Sequence, residues 1–215
     1  MFTRRTVVAG AMTAVAGAGF VLPPLGRLNA MAQVRLPEPQ PWAERLIAAA
    51  EAQIGQTVVY DPTYAKIAYP MGDIARDRGV CTDVVIRAYR DAFGLDLQRL
   101  VHEDMQRNFA AYPQHWGLQR PDASIDHRRV PNLKTFLTRR GARLVVGERA
   151  GDFQPGDLVT QMLPGNLPHI AIVSHRPNGD RSRPLMVHNI GRGARAEDTL
   201  FAFAITGQFR LAPAG

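Results

Sequence analysis

A second cysteine is missing from this chain, so no internal disulfide is possible and the one thiol, Cys81, is buried and inert, paired between molecules, or chemically employed. An uninterrupted apolar run long enough to cross a bilayer, about 20 residues, is missing too. The best candidate, Val7 to Leu22, is short and diluted by Gly10, Gly17 and Gly19. No block of five or six like charges occurs, so the chain lacks the electrostatic footprint of a nucleic-acid binder. Internal repeats and low-complexity tracts are likewise missing.

What is present begins with an export pattern. Arg4 and Arg5 precede the weakly apolar run, and Ala30-Met31-Ala32 offers a small-residue cleavage site. Residues 1–32 are therefore expected to be an export signal of twin-arginine type, and the protein to be exported to the periplasm with no stable membrane insertion once the signal is cleaved. Of 26 basic residues, Arg4, Arg5 and Arg27 lie in that segment, leaving 23 against 19 acidic ones, a mild balance of +4. The proline-spaced stretch 33–41 is expected to be a linker, and 42–215 a single domain.

Periodicity organises that domain. Trp42, Leu46, Ile47, Ala50 and Ile54 recur at helical spacing, and "TVVYDP" is expected to be a short strand. "YAKIAYPMGDIARDRG" is rich in turn formers and is expected to lie as a loop across the next helix. In that helix Val84, Val85, Ala88, Tyr89, Ala92 and Phe93 form one stripe, and Gly94 supplies the stop. Further helices are expected over 97–110 and in "VPNLKTFLTRRG", separated by a long irregular connection. From Ala142 the period becomes that of strands: "ARLVVG", "GDLVTQML", "HIAIVSH", "PLMVHNIG" and "LFAFAITGQFRL". Helices followed by strands predict an α+β domain, with N-terminal helices packed on a mainly antiparallel sheet of about five strands.

Cys81 falls at the mouth of the striped helix. Unpaired N–H groups and the positive end of the helix dipole favour a thiolate there, and reactive cysteines in such settings have pKa values of roughly 3.5–7.5. A thiolate nucleophile needs a base, and the base needs an orienting partner. Alternation places His169 with Ala171 and Val173 on one face of its strand and Ile170 and Ile172 on the other, while His188 shares a face with Met186. Two imidazoles among residues that would otherwise be core require hydrogen-bond partners. Each is a candidate partner for the other or for Cys81.

"YPMGDIARDRGVCTDVV", "QPGDLVTQMLPGNLPHIAIVS" and "LMVHNIG" resemble the three blocks of the NlpC-type papain-like cell-wall cysteine peptidases. The run from "YDPTYAKIAYP" to "ITGQFR" is similar to a bacterial domain-of-unknown-function family, numbered 1287, grouped with them. The resemblance implies a papain-like fold in which Cys81 is the nucleophile, His169 the base and His188 the orienting third member. Tyr69, twelve residues before Cys81, falls where those peptidases place a tyrosine that helps the oxyanion site. It implies further an exported hydrolase that cleaves an amide or peptide bond in peptidoglycan stem peptides and needs no cofactor. Two departures stand out: Val80-Cys81-Thr82 where Asp-Cys-Ser is usual, and 88 positions between Cys81 and His169. Much of that excess length is expected to build an extra wall of the cleft.

Asp73, His127, Arg128 and Arg129 are candidate substrate contacts, the arginines because guanidinium grips carboxylate in two-point fashion. His102, Asp104, Asp126 and His127 invite a metal reading, but their spacing is not that of a helical zinc site, and no metal is expected. The alternatives to a cysteine hydrolase are a non-catalytic wall- or lipid-binding module on the same fold, a metal-dependent hydrolase and a thiol acyltransferase.

Overall fold

The computed structural model describes residues 36–213, which belong to one compact unit of α+β architecture. The expected signal, residues 1–32, and the first part of the linker lie outside the described residues. Among the described residues no helix is long and apolar enough to cross a membrane.

Helix α1 (Pro41–Glu51) starts on a proline and buries Ala43, Leu46, Ile47 and Ala50. It stops before Ile54, which is exposed. Strand β1 (Val59–Tyr60) pairs in parallel with β2 (Arg78–Gly79), immediately upstream of helix α2 (Cys81–Phe93). Gly94 ends α2 in the left-handed conformation, where a side chain would be strained. Helix α3 (Leu97–Asn108) is capped by the Asp96 carboxylate, which accepts from the Gln98 N–H. Helix α4 (Val130–Arg139) follows a short 3₁₀ turn at Asp126–Arg128.

The second half forms a six-stranded sheet in the order β3-β8-β4-β5-β6-β7, with every neighbouring pair antiparallel. Its strands are β3 (Arg143–Leu144), β4 (Leu158–Leu163), β5 (Leu167–Pro177), β6 (Pro184–His188), β7 (Arg195–Glu197) and β8 (Ala204–Phe209). The period-2 pattern separates two apolar layers. Leu158, Ile170, Ile172, Val187 and Phe209 join the α2 stripe in the main core, while Val159, Ala171, Val173 and Met186 meet Phe153 and Leu200 on the other face.

Two differences from the sequence reading have simple causes. "ARLVVG" yields only two strand residues, since it pairs on one side alone, and Val145 is 94% exposed. Strand β7, in "GRGARAED", has three residues and no apolar alternation to reveal it.

The Pro-Gly-Asp-Leu segment is scaffold. Asp157 accepts from Arg210 Nε (2.7 Å), Gln208 Nε2 (2.8 Å) and the Gln154 N–H (3.0 Å), locking β8 to the start of β4. A Cβ at Gly156 would lie 2.8 Å from that of Ala43, so glycine lets α1 approach the sheet.

Candidate active site

The entry to α2 is built to place Cys81. Asp83 accepts from the Val80 N–H (2.7 Å), satisfying an amide of the helix start. The same carboxylate takes two bonds from Arg128, through Nε (2.9 Å) and Nη2 (3.0 Å). Thr82 Oγ1 donates to the Arg128 carbonyl (2.9 Å), and Asn189 Nδ2 donates to the Gly79 carbonyl (3.0 Å). Val80-Cys81-Thr82 is thereby clamped to the 3₁₀ turn on one side and to the end of β6 on the other.

The sheet opens where Cys81 arrives. Val173 bonds to Gly156 and Asp157, so by alternation Ala171 and His169 turn their backbone groups toward β4, and Ile172 and Ile170 toward β6. Ile172 pairs with Val187. Beyond that point the ladder is not continued, and the Ile170 N–H faces the Cys81 sulfur, its pull on the sulfur's pKa being downward, as is that of the amides of Thr82 and Cys81 itself. The backbone of the residue after His169 thus faces the sulfur.

Burial nevertheless dominates the electrostatics. Cys81 is 5% exposed, and desolvation pushes its thiol up to about 11, with the Asp83 charge adding to the rise and the three amides opposing it. The thiolate expected from the helix start is thus not the resting form. His169 and His188 are both buried, and burial lowers them to about 3 and about 4 respectively, His169 being lowered further by His188. All three groups rest neutral at pH 7.

The two imidazoles meet edge to face with centroids 5.1 Å apart. His188 Nε2 lies 3.3 Å from Thr199 Oγ1 and 3.4 Å from the Glu197 carboxylate. His169 Nε2 and His188 Nδ1 are buried without hydrogen-bond partners.

Cys81 lines a cleft of about 420 Å³ together with Tyr60, Tyr64, Trp116, Arg129 and Pro168. Trp116, Ile125 and Arg129 come from the long connection before α4, which does build a wall. Half of the cleft lining is aromatic or prolyl. The Arg129 guanidinium lies 4.0 Å above the Trp116 ring and pairs with Asp126 at 3.2 Å.

Tyr60 shares the cleft lining with Cys81, and its hydroxyl pKa is raised by burial first and then by its electrostatic coupling to Cys81. Tyr69 does not join the site. It is 44% exposed, and its ring packs on His102 with centroids 4.9 Å apart. The backbone reaches the α2 entry through β2, and β1 beside β2 ends at Tyr60, which is why this residue takes the position. Only the aromatic at the end of "TVVY" marked it in the sequence.

The other candidate contacts divide. Asp73 binds fully buried Arg87 at 2.9 Å and Arg90 at 3.7 Å, tying the upstream loop across α2. His127 is buried and pushed down to about 3, chiefly by desolvation. Arg128 lines the cleft but spends its guanidinium on Asp83 and the Asp61 and Thr63 carbonyls. Arg129 is the cleft cation with N–H groups to spare. Asp104 is engaged by Arg139 and Tyr112, and no group of three metal-ligating acids, histidines or cysteines forms among the described residues.

A family model described as "domain of unknown function (DUF1287)" matches residues 47–211, a span that contains Cys81, His169, His188 and Tyr60. The chain is also 50% identical over 161 residues to the uncharacterized protein YijF of Escherichia coli (strain K12), a match covering 75% of this chain and 78% of that protein. On the extent of both matches, the chain belongs to the DUF1287 family.

Proposed function

We propose that this protein is an exported, periplasmic cysteine hydrolase with an NlpC-type papain-like fold, acting on an amide bond in peptidoglycan stem peptides. The observation that carries the reading is the Cys81 sulfur at the wall of a cleft, faced by the amide next to His169, whose ring abuts His188.

The neutral resting state calls for a proton transfer coupled to attack. His169 takes the thiol proton as the sulfur forms its bond to the substrate carbonyl, so no free thiolate accumulates. The amides facing the sulfur and the Tyr60 hydroxyl are the donors for the developing oxyanion. The imidazolium returns its proton to the leaving nitrogen as the C–N bond breaks. Water, deprotonated by the same ring, then cleaves the thioester.

The test is Cys81→Ser. Loss of muropeptide release from purified sacculi, with circular dichroism and melting unchanged, is the expected result, and equal release by both proteins ends the hydrolase reading. A second reading, a wall-binding module without turnover, is favoured by the neutral, buried thiol. It predicts that wild type and variant pellet with sacculi equally and that neither releases fragments. Acyl transfer differs only in the acceptor, and adding an amine acceptor to the same assay reveals it as a ligated product.

A further inference from the structure

Gln161 stands directly opposite His169 in the β4–β5 ladder, on the same face of the sheet. Side chains so paired have Cβ atoms about 5 Å apart. Gln161 is fully buried, and its Nε2 group donates to the Thr199 carbonyl (2.8 Å) and the Leu200 carbonyl (3.0 Å). Both amide protons are thereby used, and the amide cannot flip without losing them. Its oxygen, Oε1, is buried with no donor. Across the ladder, His169 Nε2 is buried with no partner, and so is Nδ1 of the adjoining His188. Three unsatisfied atoms thus sit on neighbouring strands of one face, in a setting where an unpaired polar group is costly.

Their chemistry permits one assignment. A carbonyl oxygen only accepts. His188, with Nε2 toward the Glu197 carboxylate and Thr199 Oγ1, carries its proton on Nε2 and offers Nδ1 as an acceptor. Protonated at Nε2, His169 would be the donor for these acceptors, neither of which it contacts within hydrogen-bond distance in this structure. We propose that Gln161 is a positioning residue that, with His188, holds His169 in the Nε2–H tautomer and leaves Nδ1 as the basic nitrogen for the Cys81 proton. Thr199 braces the pair, its carbonyl on Gln161 and its hydroxyl on His188. When His169 becomes an imidazolium, the Gln161 oxygen opposes the charge without itself titrating. The ionisable side chains nearest the ring are His188, edge to face with it, and Glu197 on the far side of His188.

This assignment rests on the reading of Cys81 and His169 as the reacting pair, and its first test needs no substrate. In ¹⁵N-imidazole spectra of the whole chain at pH 7, His169 is expected as Nε2–H over Nδ1–H by roughly tenfold or more. A predominantly Nδ1–H ring in the wild type overturns the proposal outright. Gln161→Leu removes the acceptor and the amide donors, Gln161→Glu only the donors. The leucine variant is expected to raise the Nδ1–H population and to lower muropeptide release roughly tenfold. The glutamate variant keeps the wild-type tautomer and recovers release. An unchanged tautomer in Gln161→Leu, or equal loss of the tautomer in both variants, overturns the assignment and leaves Gln161 as a brace for residues 199–200. Absence of release from wild type, with the tautomer pattern as expected, counts against the hydrolase reading alone.

Discussion

Asp83 and Arg128, 45 residues apart in the chain, form a two-point ion pair that is almost wholly buried. The arginine neutralises the one carboxylate that raises the pKa of Cys81, and it bolts the first turn of α2 to the cleft wall. Removing either partner strands the other. Arg128→Leu is expected to destabilise the fold by about 3–5 kcal/mol in urea unfolding, and adding Asp83→Asn to recover part of that. Gly79→Ala belongs with them, because its Cβ would meet Asp83 Oδ2 at 3.0 Å and Arg87 Nη1 at 3.2 Å. A loss of about 1–3 kcal/mol is expected there, and a neutral substitution would mean that the entry to α2 yields easily.

Tyr60 and Tyr69 give opposite expectations. Tyr60→Phe is expected to lower turnover on sacculi by about 10²-fold, the scale for one oxyanion donor, with melting nearly unchanged. Tyr69→Phe should stay within about twofold, because the ring packs on His102 away from the cleft. The reverse order would move the oxyanion site.

Three buried imidazoles set the acid limit of the fold. His127, His169 and His188 are lowered from 6.5 to about 3, about 3 and about 4, each mainly by burial. Below pH 6.5 the unfolded chain binds protons on these rings while the native ones stay neutral. Their contribution is fully present above pH 6.5 and declines as pH falls toward 4 and then 3. Between pH 6.5 and 4.5 the expected loss is on the order of 2 kcal/mol per ring, measured by urea unfolding at the two pH values. His127→Asn, away from the reacting pair, should reduce the slope; an unaltered slope would show that other groups govern the acid limit.

The thiol gives an alkaline counterpart. Raised from 9.0 to about 11, Cys81 makes the native state bind its proton more tightly than the unfolded one, so its stabilising contribution is present below pH 9 and is lost as pH rises toward 11. Iodoacetamide at pH 7.5 is expected to alkylate native Cys81 about 100-fold more slowly than the urea-unfolded chain, from thiolate fraction alone. Equal rates would place an ionised sulfur in the resting protein.

The legible parts of this molecule were those with strong periodicity and punctuation. The stripe from Val84 to Phe93 and the stop at Gly94 locate α2, and alternation in β5 correctly separates His169 from Ile170 and Ile172. Both depend on local pattern. The ionisation of Cys81 does not, because the helix start and its amides lower the pKa while long-range packing raises it more. The family resemblance pointed to Tyr69, whereas strand pairing brings Tyr60, which no count along the chain reveals. Gln161 reads as one polar residue in a strand, and only the register across to His169 gives it a neighbour.

The parting of β5 from β6 beyond Ile172 and Val187 has a consequence for how such a site is lost. Cys81 occupies a rung that strand pairing would otherwise claim, so its surroundings obey backbone bookkeeping more than side-chain identity. A small insertion that let β6 zip two residues farther would divert the Ile170 amide and displace the sulfur, with cysteine and both histidines still in place.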